Sequence, residues 1–245
     1  MNDGTNDTTV ALITGANKGL GYETARRLGA LGMTVLVGAR DRARGAQAVE
    51  RLREGGADAH RVDLDLTDAA SITAAAHDVG ARFGRVDVLV NNAGIGGGQL
   101  PSQQDLDAMR ALFETNVYGT IAVTQALLPL LTRSRAGRIV NVSTTLASLT
   151  HAADPTHRIA AWNMLFGYAA SKAVLHAFSV RLAHELRPQG IKVNAVCPGY
   201  VATDFNAHRG VRTVTEGAEI IVRMATLDED GPTAGFFDEA GVVPW

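Results

Sequence analysis

The run Thr9-Val10-Ala11-Leu12-Ile13-Thr14, followed at once by Gly15-Ala16-Asn17-Lys18-Gly19-Leu20-Gly21, constrains this 245-residue chain more than any other stretch. The first part is short, apolar and rich in β-branched side chains, which reads as a buried strand. Tyr22 to Leu31 then reads as a helix. Glycines between the two let the backbone turn tightly and approach a ligand closely, and the free amides at a helix N-terminus favour an anion. The stretch therefore predicts a phosphate cradle at the carboxyl end of the first strand. Its spacing, Gly-x-x-x-Gly-x-Gly, is not that of the P-loop, which ends in Gly-Lys-Ser/Thr. The same spacing also fits a plain turn from strand to helix, so the rest of the chain must decide.

The rest of the chain repeats the unit. Met33 to Gly38, Ala59 to Leu64, Val86 to Val90, Arg138 to Val142 and Ile191 to Val196 read as further strands. Helices are expected over Asp41 to Glu54, from about Gln103 with Leu106, Met109, Leu112, Phe113 and Val117 on one stripe, and through Val174, Phe178 and Leu182 up to Pro188. In Leu64-Asp65-Leu66-Thr67-Asp68, either Thr67 or Asp68 is the expected N-cap of the next helix. Strands alternating with helices to the end predict an α/β fold, a doubly wound parallel sheet in a single domain over 9–245. The polar start, Met1 to Thr8, is expected to be disordered.

Net charge is −2 with acids and bases interspersed, which indicates no basic face for nucleic acid. The single Cys197 excludes an internal disulfide and fits a reducing compartment. Neither a basic start leading into an apolar run nor a stretch near the ~20 apolar residues of a membrane span is present. The expectation is a cytoplasmic protein that engages neither membrane nor nucleic acid. No His-Glu-x-x-His pattern occurs, so no metal is expected, and His176 and His184 are read as helix-surface residues.

Two further features carry chemistry. The second strand of a dinucleotide-binding unit ends beside the adenosine ribose, where an acidic residue would hold a free 2′-hydroxyl. This chain offers Arg40 there, and Lys18 reaches the same corner, which favours a 2′-phosphate and hence NADP(H). Tyr168 and Lys172 lie four apart, on one face of a helix. Moving a phenol from ~10 about three units towards neutrality needs roughly 4 kcal/mol. A unit charge ~4 Å away supplies about that much at an effective dielectric of ~20.

Taken in order, TGANKGLG, LDLTD, NNAG, Asn116 within FETNVYG, IVNVST, YAASK and PGYVAT resemble the short-chain dehydrogenase/reductase family, over about residues 9–203. The resemblance implies a Rossmann-type fold. It places Gly15, Asn17, Lys18, Gly19, Leu20, Gly21 and Arg40 around the cofactor phosphates and ribose, and Asp65 and Leu66 at the adenine. Asn92, Ala93 and Gly94 would line the cofactor, with Pro198, Gly199, Val201 and Thr203 at the nicotinamide. Tyr168 matches the catalytic acid/base and Lys172 its partner, which also holds the nicotinamide ribose. Asn116 matches the residue whose backbone carbonyl serves a proton relay. The implied activity is hydride transfer from NADPH to a ketone or aldehyde of a small, partly apolar substrate. The alternatives are oxidative alcohol dehydrogenation and a non-catalytic dinucleotide-binding regulator.

Two positions depart from the pattern. The family's catalytic serine stands three residues after the asparagine ending strand five, which is Thr144 here, whereas serine sits at Ser143. Strand alternation turns one of the two to the substrate and the other to the layer behind, and the spacing favours Thr144. The segment between Thr144 and Tyr168 is also long, and resembles an insertion of carbonyl-reductase-like members, as does the ending Gly235-Phe236-Phe237-Asp238…Pro244-Trp245. It brings His151, His157, Trp162, Met164 and Phe166 beside the site, as an apolar substrate wall or, equally, with Trp162 and Phe166 as core anchors. Residues 204–215 are expected to form a mobile lid. A homodimer through the helix near Gln103 and the one carrying Tyr168 is expected, unless the insertion covers that surface, as in monomeric carbonyl-reductase-like members.

Overall fold

The structure, a computed structural model, describes residues 8–245. β1 (Val10–Thr14), β2 (Thr34–Ala39), β3 (Ala59–Asp63), β4 (Val88–Asn91), β5 (Arg138–Val142), β6 (Lys192–Val196), β7 (Phe236–Asp238) and β8 (Gly241–Val242) form one sheet. Their order is β3-β2-β1-β4-β5-β6-β7-β8. Every pairing is parallel except β7 with β8, so the expected doubly wound parallel sheet is present, with one antiparallel strand added at its edge. Turning back on itself allows the two-residue β8 to pair without a crossover helix.

Helices α1 (Gly19–Ala30), α2 (Arg42–Glu54) and α8 (Val214–Ala225) cover one face of the sheet. On the other lie α3 (Ala69–Phe83), α4 (Leu106–Phe113), α5 (Thr120–Leu131) and α7 (Phe166–Glu185). Strands buried on both faces read as continuous apolar runs, as β1, β2 and β4 do. The order reverses between β1 and β4, and there the carboxyl ends of the strands open a crevice.

Local chemistry accounts for the boundaries. Asp41 caps α2 by accepting from Arg44 N at 2.9 Å. Of the two candidates for α3, Asp68 is the cap, accepting from Ala70 N, while Thr67 donates to Asp65. The helix expected from Gln103 starts at Leu106 instead. Asp105 caps it, and Pro101–Gln103 forms a separate 3₁₀ turn. Leu112 and Val117 are buried as the stripe requires, whereas Leu106 is exposed. Between α4 and α5 the backbone widens into a π-helical segment, Glu114–Gly119, which carries Asn116.

The buried face of α7 is Ser171, Lys172, Leu175, His176, Ser179, Leu182 and Ala183. The reading of His176 as a surface residue is therefore corrected: it is buried, while His184 is exposed. Apolar periodicity misplaced the face by about one residue because this helix buries polar groups, and Val174 looks outward. At the amino end, Thr8, expected to be disordered, is held in place: its carbonyl accepts from Arg85. The remainder of that expectation, residues 1–7, lies outside the described residues.

Candidate active site

The turn after β1 is closed by contacts that leave no room for side chains. A methyl group built on Gly21 would lie 2.5 Å from Asn92 Nδ2 and 2.6 Å from the Gly15 carbonyl. Gly15 itself has φ of +65°, a conformation glycine adopts without strain. Thr14 Oγ1 accepts from the amides of Asn92 and Ala93, and Asn92 Nδ2 donates to the Thr14 carbonyl, so the turns after β1 and β4 are fastened together. Leu20 packs against the core, and Leu66 is buried beneath the π segment.

At the end of β2, Arg40 is exposed and makes no salt bridge among the described residues. Its charge, with hydrogen bonds from Thr67, holds the Asp65 carboxyl below the usual carboxylate range, the hydrogen bonds being the larger cause. The neighbouring Asp41 carboxylate is spent on capping α2. Lys18 is ion-paired: its ammonium lies 2.8 Å from Asp204 Oδ2.

Three chain segments meet below the turn. Asn116 Oδ1 accepts from Ile95 N, and Asn116 Nδ2 donates to the Ile95 carbonyl and to Ser171 Oγ, which in turn donates to the Tyr168 carbonyl. A methyl on Gly94 would come within 3.0 Å of Asn116 Oδ1 and 3.5 Å of Lys172 Nζ. Lys172 donates to the carbonyl of Val142 at 2.8 Å, where β5 ends. Two residues on, Thr144 is half-buried, and its hydroxyl accepts from Leu146 N at 3.3 Å, which leaves its own proton to donate. Ser143 is buried, with its hydroxyl 2.7 Å from His176 Nε2 on α7. The structure thus brings Asn116, Thr144, Tyr168 and Lys172 to one end of the crevice.

Burial decides the protonation of the pair on α7. It pulls the Lys172 ammonium down to about 8. The Tyr168 phenol goes up, through burial first and the buried Cys197 second. The Tyr168 phenol is therefore not lowered as the lysine charge led one to expect, and the Lys172 ammonium donates one of its three protons to the Val142 carbonyl.

The mouth is apolar. Phe205 lies against Gly96 and 5.6 Å from the Tyr168 ring, and Trp162 meets Tyr200 edge-on at 5.6 Å. Trp162, Met164 and Phe166 are exposed, so Trp162 and Phe166 are not core anchors. His151 and His157 stack on each other at 4.1 Å. Residues 201–212 are tied down: Thr203 and Asn206 exchange capping bonds, Asn206 Nδ2 donates to Val201 O, and Val201 pairs with Arg212. Pro198 and Gly199 lead into that segment, and a side chain at Gly199 would collide with Arg212. The sequence pattern did not single out Asp204, Phe205 and Ser171, whose contacts with Lys18, Tyr168 and Asn116 span long stretches of chain. No metal-holding cluster occurs among the described residues, and no described helix is long and apolar enough to cross a membrane.

A family model described as short chain dehydrogenase matches residues 9–212. The chain belongs to the short-chain dehydrogenase family. A (+)-neomenthol dehydrogenase of Capsicum annuum is 32% identical, covering 97% of this chain and 98% of the relative. Among solved structures of short-chain dehydrogenases and reductases, NADPH-bound carbonyl reductase from chicken fatty liver is 29% identical with a TM-score of 0.85, over 97% of this chain and 98% of that one. Salutaridine reductase from Papaver somniferum is 30% identical with a TM-score of 0.80, over 94% and 99%. Family membership makes this chain an oxidoreductase with a Rossmann-type fold.

Proposed function

We propose that the protein reduces ketones or aldehydes of small, apolar substrates with NADPH. The observation that carries the reading is Arg40, exposed and without an ion-pair partner among the described residues where β2 ends, which suits the cofactor that usually serves reductions; the Tyr168 phenol, raised by burial, is in keeping with it. A protonated phenol is the form that carbonyl reduction consumes, whereas alcohol oxidation needs it as a base. The reductases among the relatives support the same reading.

The cradle suits the cofactor. Gly15, Asn17, Gly19 and Gly21 leave space and amides for the phosphates, with Lys18 and Arg40 at the 2′-phosphate corner and Asp65 and Leu66 at the adenine. Asn92, Ala93, Gly94, Pro198, Gly199, Val201 and Thr203 would line the nicotinamide half. Bound there, NADPH supplies the hydride. Tyr168 donates its proton to the forming alkoxide, Thr144 hydrogen-bonds the same oxygen, and Lys172 holds the ribose. Asn116 keeps Ile95 and Ser171 in place beneath them. Trp162, Met164, Tyr200 and Phe205 would favour a small, partly apolar carbonyl compound over a polar one.

A panel of ketones and aldehydes, run with NADPH and NADH while following nicotinamide absorbance, tests this reading. NADPH is expected to be preferred by at least ~10-fold in kcat/KM. Arg40→Asp is expected to narrow or invert that ratio. Asp204→Asn frees Lys18 from its carboxylate, so NADPH is expected to bind about two- to fivefold more tightly, and NADH no differently. Equal use of both cofactors by the unaltered protein would defeat the assignment of Lys18 and Arg40.

A further inference from the structure

We propose that His176 is a positioning residue for this chemistry: through Ser143 it fixes the end of β5, and so the direction of the Thr144 hydroxyl. Ser143 Oγ and His176 Nε2 are 2.7 Å apart, and both residues are buried. The imidazole is wedged between aromatic rings, 4.3 Å from Phe236 and 5.0 Å from Trp245, which also stack on each other at 5.7 Å. It has little freedom to follow Ser143, so Ser143 must follow it.

The grip is double. Lys172 and His176 are one turn apart on α7. The first holds the carbonyl of Val142, and the second holds the hydroxyl of Ser143. Ser143 N donates to Val196 O at 2.7 Å, which ties the same residue to β6. Thr144 is the first residue beyond these ties, with extended backbone at φ −152° and ψ 147°. A rotation at Ser143 would pass directly into it, and displacements near 1 Å at a reacting group lower rates by as much as ~10². Burial, and then the Lys172 charge, push the imidazole down to about 4, so it stays neutral and adds no second cation beside Lys172.

The kinetic arm of the test rests on the carbonyl-reductase reading, and the exchange arm does not. His176→Leu, His176→Gln, Ser143→Ala and the double variant Ser143→Ala/His176→Leu would be compared in kcat, KM and NADPH Kd with the best ketone of the panel. Hydrogen–deuterium exchange over residues 143–148 would be followed in parallel. His176→Leu and Ser143→Ala are each expected to lower kcat about tenfold with KM and Kd nearly unchanged. The double variant is expected to lose no more than either alone, because both remove one linkage. Glutamine places a nitrogen near the Nε2 position, so His176→Gln is expected to stay within about threefold of the unaltered protein. Exchange over 143–148 is expected to quicken in the leucine and alanine variants but not in the glutamine one. The proposal is overturned if both single losses stay under about twofold, if they multiply towards a hundredfold in the double variant, or if exchange is unaffected. Should His176→Leu not fold, Ser143→Ala against His176→Gln carries the same contrast. Should no carbonyl be reduced, the proposed function fails and exchange alone decides this inference.

Discussion

Tyr168→Phe is expected to lower kcat for carbonyl reduction by about 10²- to 10⁴-fold while NADPH still binds. The substitution keeps the ring and its contact with Phe205 and deletes only the proton donor. Packing and cofactor affinity therefore serve as internal controls, read from the melting temperature and a fluorescence titration. Retention of more than about a tenth of the rate would leave under ~1.4 kcal/mol to the phenol and end its assignment. The pH profile gives a second check. The Tyr168 phenol is raised, so it stays protonated across the working range. Lys172, pulled down to about 8, loses its proton as pH rises through that value. The reductive rate is thus expected to be level below about pH 8 and to fall above it. Lys172→Arg, which cannot deprotonate in that range, is expected to abolish the fall if it retains activity.

Thr144→Ala is expected to cut kcat by about 10²- to 10³-fold, the range for removing one donor to a developing oxyanion. Thr144 has the half-buried position and the available proton, while Ser143 is turned into the layer behind. Ser143→Ala is accordingly expected to lose about ten times less, through slackened positioning and not a missing donor. Thr144→Ser keeps the hydroxyl and removes a methyl that restricts its rotamer, so activity is expected to persist or rise. Stopped assays of the three variants side by side settle the register. A dead Ser143→Ala beside a healthy Thr144→Ala would reverse the two roles.

The parts legible in the sequence were those whose physics is local. The glycine turn, the strand ends and the four-residue step from Tyr168 to Lys172 are set by neighbours in the chain, and the sheet that unites them follows from the alternation of strands and helices. The β7–β8 edge escaped because two residues of antiparallel pairing leave no periodic signal. His176 escaped because a helix that buries a lysine, two serines and a histidine breaks the rule that polar means outward. The Lys18–Asp204 contact spans 186 positions, and no local pattern announces such a pairing. Trp162 was equally compatible with core and wall, and its exposure beside Tyr200 removes the first.

The two rims of the sheet differ in a way that matters for handling the protein outside solution. Every proposed site residue stands at the carboxyl rim, whereas the turns at Gly32, Gly56, Gly84 and Gly190 lead into β2, β3, β4 and β6 at the opposite one, with open space around each. The single native thiol, Cys197, is buried. A cysteine introduced at Leu31, which is 61% exposed beside Gly32, would therefore be the one reactive thiol on the surface. Coupled through it to a solid support, every molecule would be anchored by its floor, with the mouth facing the flowing substrate.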